Sequence, residues 1–180
     1  MSVNDRALIV YETMFGNTER IARAIRDGLR QYVAADMLPV NQAPEVVPGD
    51  VRLLVVGGPT HAFSMSRLST RQEACKQGDV VMPIEVGIRD WLDVLQSPSG
   101  RGAPQVTTFD TRIAKVRRLP GSAARSAAKL LRRRGYRMIG TSESFFVNET
   151  IGPIRDVEID RAEHWGEQLG RLLTGSARVA

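Results

Sequence analysis

Short apolar runs alternate along this chain with amphipathic stretches, and the change of period between them predicts the elements. Ala7 to Tyr11 is an apolar run rich in β-branched and aromatic residues, the pattern of a strand buried on both faces, and Val51 to Val56 reads the same way. After the first run the period becomes helical. Ile21, Ile25 and Leu29 recur every four residues with Ala22 beside them, while Arg20, Arg23, Arg26 and Asp27 take the other side. A second amphipathic helix is predicted from Ala123 to Arg134, capped by Ser122, stopped by Gly135 and buried through Ala124, Ala127, Ala128 and Leu131. Asp156 opens a last helix with Glu158 and Asp160 in its first turn and Ala162, Trp165, Leu169 and Leu172 on one stripe.

Shorter elements fill the intervals. Asp36 to Val40 and Gln105 to Phe109 read as strands, Ile88 to Leu95 as a short helix offering Trp91, Leu92 and Leu95 to the core. A fifth strand is formed by Tyr136 to Ile139 and Ser144 to Val147, interrupted around Thr141 to Glu143. Strand and helix thus alternate five times, which predicts an α/β fold: a parallel sheet wrapped on both faces by right-handed crossovers. Ser64 to Gly87 is polar, irregular and longer than an ordinary connection, as functional lids and mobile segments are, and its pattern assigns no element.

Candidate chemistry gathers at the carboxyl ends of the strands, which line one crevice in an open parallel sheet. Thr13 to Thr18 joins the first strand to the first helix with two hydroxyls, an amide and a glycine. A phosphate needs that set: backbone N–H groups, the positive end of a helix dipole and neutral side-chain donors. After Val56 comes Gly57-Gly58-Pro59-Thr60-His61-Ala62-Phe63-Ser64, and after Phe109 come Asp110, Thr111 and Arg112, all expected at the same edge.

The motif Thr-x-x-Gly-Asn-Thr in its strand-and-helix context resembles the phosphate loop of flavodoxin-like proteins, which bind flavin mononucleotide (FMN). The resemblance implies a five-stranded parallel sheet in the order 2-1-3-4-5. It further implies that Thr13, Asn17 and Thr18 hold the phosphate with the backbone N–H groups of Met14, Phe15, Gly16, Asn17 and Thr18. Pro59, Thr60, His61, Ala62 and Phe63 would border the isoalloxazine ring, and Asp110, Thr111 and Arg112 would sit in a loop that closes over it. Phe15 stands where many electron-carrier flavodoxins have threonine, and an aromatic there is similar to the related quinone reductases. Glu12 stands where a small residue is usual, and its carboxylate would repel a phosphate if it turned inward. The implied function is FMN-dependent electron transfer with a redox partner protein. The alternatives are an oxidoreductase that uses NAD(P)H to reduce a quinone, and a binding module that has lost FMN.

Composition narrows the setting. A chain of 180 residues suits a single domain over 1–180, and the lone Cys75, with only Lys76 beside it, excludes an internal disulfide and suits a reducing cytoplasm. His61 and His164 are too few for a zinc-type cluster, and no apolar run approaches the ~20 residues that span a bilayer. No nucleoside-triphosphate loop and no Gly-x-Ser-x-Gly elbow occur, and Gly100-Arg101-Gly102 lacks the strand and helix of a dinucleotide fingerprint, so a bound flavin would supply the chemistry. The net charge of +5 hides an asymmetry: Thr111 to Ser142 holds ten of the 25 basic residues and no acidic one, leaving 15 basic and 20 acidic residues, a net of −5, elsewhere. Arg125, Lys129, Arg132 and Arg133 share one helix face, preceded by Lys115, Arg117 and Arg118. A one-sign field of this kind attracts an acidic redox partner or a nucleotide phosphate, while the lack of interleaved aromatic residues disfavours nucleic acid.

Overall fold

The computed structural model describes residues 5–100 and 102–176, the Ser176 side chain excepted; the polar start of the chain up to residue 4 and Arg101 of the glycine triplet lie outside that range. Strands β1 (Arg6–Tyr11), β2 (Ala34–Pro39), β3 (Val51–His61) and β5 (Gln105–Ile113) form a parallel sheet completed by β6 (Arg137–Met138) and β7 (Glu143–Val147). The order is β2-β1-β3-β5-β6, with β7 also paired to β5, so β6 and β7 together act as the fifth parallel strand. This is the 2-1-3-4-5 order implied by the resemblance, including the interruption between the two halves of the last strand.

Side-chain alternation along β1 and β3 explains why Ala7 to Tyr11 and Leu53 to Val56 are apolar throughout. Ile9, Leu53 and Val55 face a core shared with helices α1 (Asn17–Leu29) and α5 (Asp156–Ser176); Leu8, Val10, Leu54 and Val56 face a second core under α3 (Ile88–Val94) and α4 (Ala123–Arg133). Both tryptophans are core residues. Trp165 makes edge-to-face contacts with Phe109 and Phe145 at centroid distances of 6.4 and 6.1 Å, and Trp91 donates from its indole N–H to the Pro44 carbonyl at 3.0 Å. Helices α1 and α5 cross closely through glycines that face each other's backbone: a Cβ on Gly28 would overlap the Glu163 carbonyl, and one on Gly166 would overlap that of Ile25.

Several boundaries differ from the sequence reading. The second strand starts two residues earlier than Asp36, because Arg6 pairs with Ala34 and Ala35 is itself buried. Residue 172 is half exposed and Leu173 takes its place in the core, because the buried face continues four residues on from Leu169 rather than three. Gly57 to His61 is strand rather than loop: β3 runs on to pair antiparallel with β4 (Ser64–Met65) across a turn at Ala62 and Phe63, whose φ values are 46° and 65°. Likewise Asp110, Thr111 and Arg112 belong to β5, because the pairing with β7 extends it to Ile113. The 64–87 interval contains a helix, α2 (Leu68–Cys75), which has no apolar stripe and is anchored instead by one buried arginine.

Candidate functional site

The carboxyl ends of β1, β3 and β5 open onto a partly enclosed cavity of about 290 Å³, at the lower end of the range for small-molecule sites. Of the positions expected there, Thr13, Met14, Phe15, Asn17, Thr18, Pro59, Thr60, His61, Ala62, Thr111 and Arg112 line it. Gly16, Phe63 and Asp110 do not line it.

Each exception has a local cause. Gly16 is the N-cap of α1 in the left-handed conformation, φ 82°, which turns the chain from loop into helix. Phe63 points outward from the β3–β4 turn and is 47% exposed. Asp110 is fully buried on the opposite side of the sheet edge, where its Oδ2 accepts from Thr60 Oγ1 at 2.9 Å and from the Ala124 N–H at 3.0 Å. With Thr60 Oγ1 accepting from Ala123 N–H at 2.8 Å and Ser122 Oγ from Arg125 N–H at 3.1 Å, it satisfies the start of α4. Asp110 is a helix cap, which separates it from the ring-closing role implied by the resemblance.

The N-terminus of α1 is different. No side chain caps it among the described residues, so the first-turn N–H groups beside the cavity remain open to an acceptor. Asn17 is committed elsewhere: its Nδ2 donates to the Ile151 carbonyl at 2.7 Å and its Oδ1 accepts from Ile154 N–H at 3.1 Å, tying the loop to the chain after β7. Thr18 Oγ1 and Thr111 Oγ1 share a buried hydrogen bond of 2.7 Å. Thr13 Oγ1 is buried with no hydrogen-bond partner among the described residues. An orphan hydroxyl on a cavity-lining residue near an uncapped helix start is a neutral donor with no acceptor of its own among the described residues.

Glu12, the residue expected to conflict with a phosphate, turns to the other face of β1. Its Oε2 accepts from Ile88 N–H at 2.8 Å, and it does not line the cavity. Burial raises its pKa, opposed by hydrogen bonds from Ser66 and Ile88 and by the Arg71 charge. The native state therefore binds the Glu12 proton more tightly than the unfolded chain does. Stability should fall as pH rises from the ordinary carboxylate range through the folded pKa, and Glu12→Gln should flatten that slope. Urea midpoints across pH 4 to 8 test this; superimposable profiles for the two proteins would contradict it.

Two further side chains shape the cavity. His61 has its pKa lowered by burial and then by the Arg71 charge, against a hydrogen bond with the Thr70 backbone, so it is a neutral imidazole near pH 7. Arg112 donates from Nη2 to the carbonyls of Val116 at 2.8 Å and Leu119 at 3.2 Å, pinning the turn after β5 against the cavity wall.

Sequence reasoning missed one wall. Thr70, Glu73, Ala74 and Gln77 line the cavity from α2 and the residues after it, with Ile113, Val147 and Thr150 at the far end. The spacing i, i+3, i+4, i+7 is a helix face, yet a mostly polar one, so no hydrophobic period announced it. From α2 a strap returns over the loop: Val81 N–H donates to the Met14 carbonyl at 2.9 Å, and Thr13 N–H points at the Met82 sulfur at 3.1 Å.

No protein-family model and no curated protein sequence matches the chain. Its structure is similar to flavodoxin 1 from Bacillus cereus, with a TM-score of 0.64 at 14% identity over 92% of this chain and 97% of that one. A flavodoxin from Streptococcus pneumoniae gives 0.61 at 16% identity over 94% and 98%. The rubredoxin oxygen:oxidoreductase of Desulfovibrio gigas gives 0.61 at 13% identity, covering 96% of this chain and 37% of that protein. Likeness at such identities speaks for architecture, and with the strand order and the cavity at the sheet's carboxyl edge it assigns the chain the flavodoxin-like fold.

Proposed function

We propose that the protein binds FMN noncovalently in this cavity and serves as an electron-transfer protein. The observation that carries the reading is the partnerless, buried Thr13 hydroxyl beside the uncapped start of α1. These groups fit a phosphate held by neutral donors. Thr13, Thr18 and the N–H groups at the start of α1 would hold it, with the helix dipole contributing a favourable potential. Pro59, Thr60, His61 and Ala62 would orient the ring, while Thr70, Ala74 and Ile113 exclude water from the side opposite β3. FMN, when bound, supplies one- and two-electron chemistry. Glu12 turns away from the cavity, so its carboxylate does not stand against a phosphate there, which supports this reading.

A second reading, a reductase driven by NAD(P)H, keeps Phe15, which lines the cavity but also sits close against Gly78 and the strap. Steady NAD(P)H oxidation with a quinone separates it from the carrier. A single domain over 1–180 is supported by one sheet carrying both cores, and the exposed thiol of Cys75 suits a reducing cytoplasm.

Thr13→Val is the decisive variant. Because the hydroxyl has no partner among the described residues, its loss should leave stability unchanged or slightly higher. FMN affinity should fall about 10- to 100-fold, the ~1.5–3 kcal/mol of a hydrogen bond to a charged group. Riboflavin, lacking the phosphate, should bind both proteins equally. A wild-type protein that ignores added FMN, or a variant that loses both ligands in parallel, would overturn the reading.

A further inference from the structure

We propose that the face formed by the Ala62-Phe63 turn, the 115–121 segment and the outer side of α4 docks an acidic protein carrying a one-electron centre. The inference rests on the reading that the cavity holds a flavin. The exchange moves one electron from the reduced partner to the oxidised one, with no bond made or broken.

The first support is position. The turn whose Ala62 lines the cavity is packed directly on the basic segment: a Cβ on Gly121 would lie 2.5 Å from the Phe63 carbonyl oxygen, and Ser64 Oγ donates to Ser126 Oγ at 3.1 Å. Arg112 reaches from the cavity wall to the carbonyls of Val116 and Leu119, so the segment is fastened to the site. From there the stripe Arg125 to Arg133 extends along α4 for ~12 Å.

The second support is charge that the protein leaves unanswered. Arg6, Arg20, Arg23, Arg26, Arg52 and Arg71 all form ion pairs, as do Arg161 and Arg171. Lys115, Arg117 and Arg118 and the four cations of the α4 stripe are exposed and form none among the described residues. Clustered like charges repel one another, and a folded protein gains nothing internally from them. They raise the rate of encounter with an anionic surface by ~10 to 10³ at low salt, a range set by screening beyond about 10 Å.

The third support is the centre of the patch. Phe63 and Leu119 are 47% and 46% exposed. Turns with two left-handed residues favour asparagine and glycine, yet here the chain places alanine and an aromatic there, holding Phe63 outward. A small apolar spot ringed by cations beside a redox cavity matches a short-lived protein encounter: electrostatics steer, apolar contact seats, and the small area permits release. For single-stranded nucleic acid the face offers one aromatic and no stacking series.

A plant-type ferredoxin serves as an acidic probe, a basic cytochrome c as the opposite-charge control, and duplex DNA as the rival. With FMN-loaded protein, Lys129→Glu with Arg132→Glu should slow ferredoxin electron exchange at least tenfold at low salt and converge with wild type at high salt. Leu119→Ser should speed dissociation at every salt concentration. FMN affinity should be unchanged in both. Equal low-salt rates for wild type and the double variant, preference for the basic cytochrome, or tighter binding of duplex DNA than of ferredoxin would each overturn the proposal. Calorimetric titration of the flavin-free protein with ferredoxin separates the two readings. Salt-sensitive binding there supports the surface even if FMN never binds; FMN uptake without such binding sinks the surface alone.

Discussion

Arg71→Met is expected to destabilise the protein by about 3 kcal/mol, the upper end of the cost of leaving buried hydrogen-bond acceptors without their donor. Arg71 is 1% exposed and uses all three guanidinium nitrogens. Its Nε donates to the Ile84 carbonyl at 2.6 Å, Nη1 to Ser66 Oγ at 2.9 Å, and Nη2 to the Glu85 carbonyl at 3.2 Å and Asp90 Oδ2 at 2.7 Å. Methionine fills much of the volume but leaves the buried Ser66 hydroxyl and the part-buried Ile84 carbonyl without their donor. It also removes the positive charge that opposes the burial of Glu12, whose pKa should rise further. The Asp90 pair alone explains little, since that carboxylate is partly exposed and screened. Because Arg71 anchors α2, the Thr70-Glu73-Ala74 wall should loosen, and FMN affinity should fall with stability. Combining Arg71→Met with Glu12→Gln should restore part of the loss, the mark of coupled sites. A urea-measured loss below ~1 kcal/mol would contradict the assignment of Arg71 as the anchor.

Gly28→Ala should destabilise by roughly 3 kcal/mol, the upper end for overpacking, although propensity alone predicts a gain of ~1 kcal/mol for alanine in a helix. The sign reverses because the added methyl would overlap the Glu163 carbonyl and approach Glu167 N at 2.9 Å, backbone atoms that cannot swing aside. Gly166→Ala should behave alike against Ile25. Gly175, in the same α5 but with open space around it, is the control, and alanine there should stabilise. Thermal unfolding of the three variants tests the pattern. A stabilised Gly28→Ala protein would show that α1 and α5 separate at little cost. On the proposed reading the start of α1 would hold the FMN phosphate, so FMN affinity should drop with Gly28→Ala and stay constant with Gly175→Ala.

Much of this architecture was legible because burial on two faces writes itself as composition. Ile9, Val10, Leu53 and Leu54 are buried on alternate faces, so no polar residue interrupts them, and α4 displays its alanine and leucine side as a clean stripe. The position of the Thr13 to Thr18 loop was legible because it lies between a clear strand and a clear helix, and the structure sets it beside the cavity. The α2 wall was not. Its stability comes from one arginine whose partners at Ile84, Glu85 and Asp90 lie 13 to 19 residues away, and a single residue has no period. Asp110 and Arg112 were assigned to a loop because Gln105 to Phe109 already looked like a complete strand. The pairing with β7 that extends β5 is a long-range fact with no local trace.

The ties of Asn17 reach far along the chain. They join it to Ile151 and Ile154 across separations of 134 and 137 residues, and Thr18 meets Thr111 across 93. Closing such loops costs entropy that is recovered only when both ends are in place, so contacts of this span form late. The loop from Thr13 to Thr18 therefore matures after the helix it begins. On the ribosome, where residues emerge in order, a nascent chain has no finished cavity until residue 154 has left the exit tunnel and β7 has joined β5. On the proposed reading, flavin capture would then be a last step of assembly, and a chain stalled before that point is expected to leave flavin in solution.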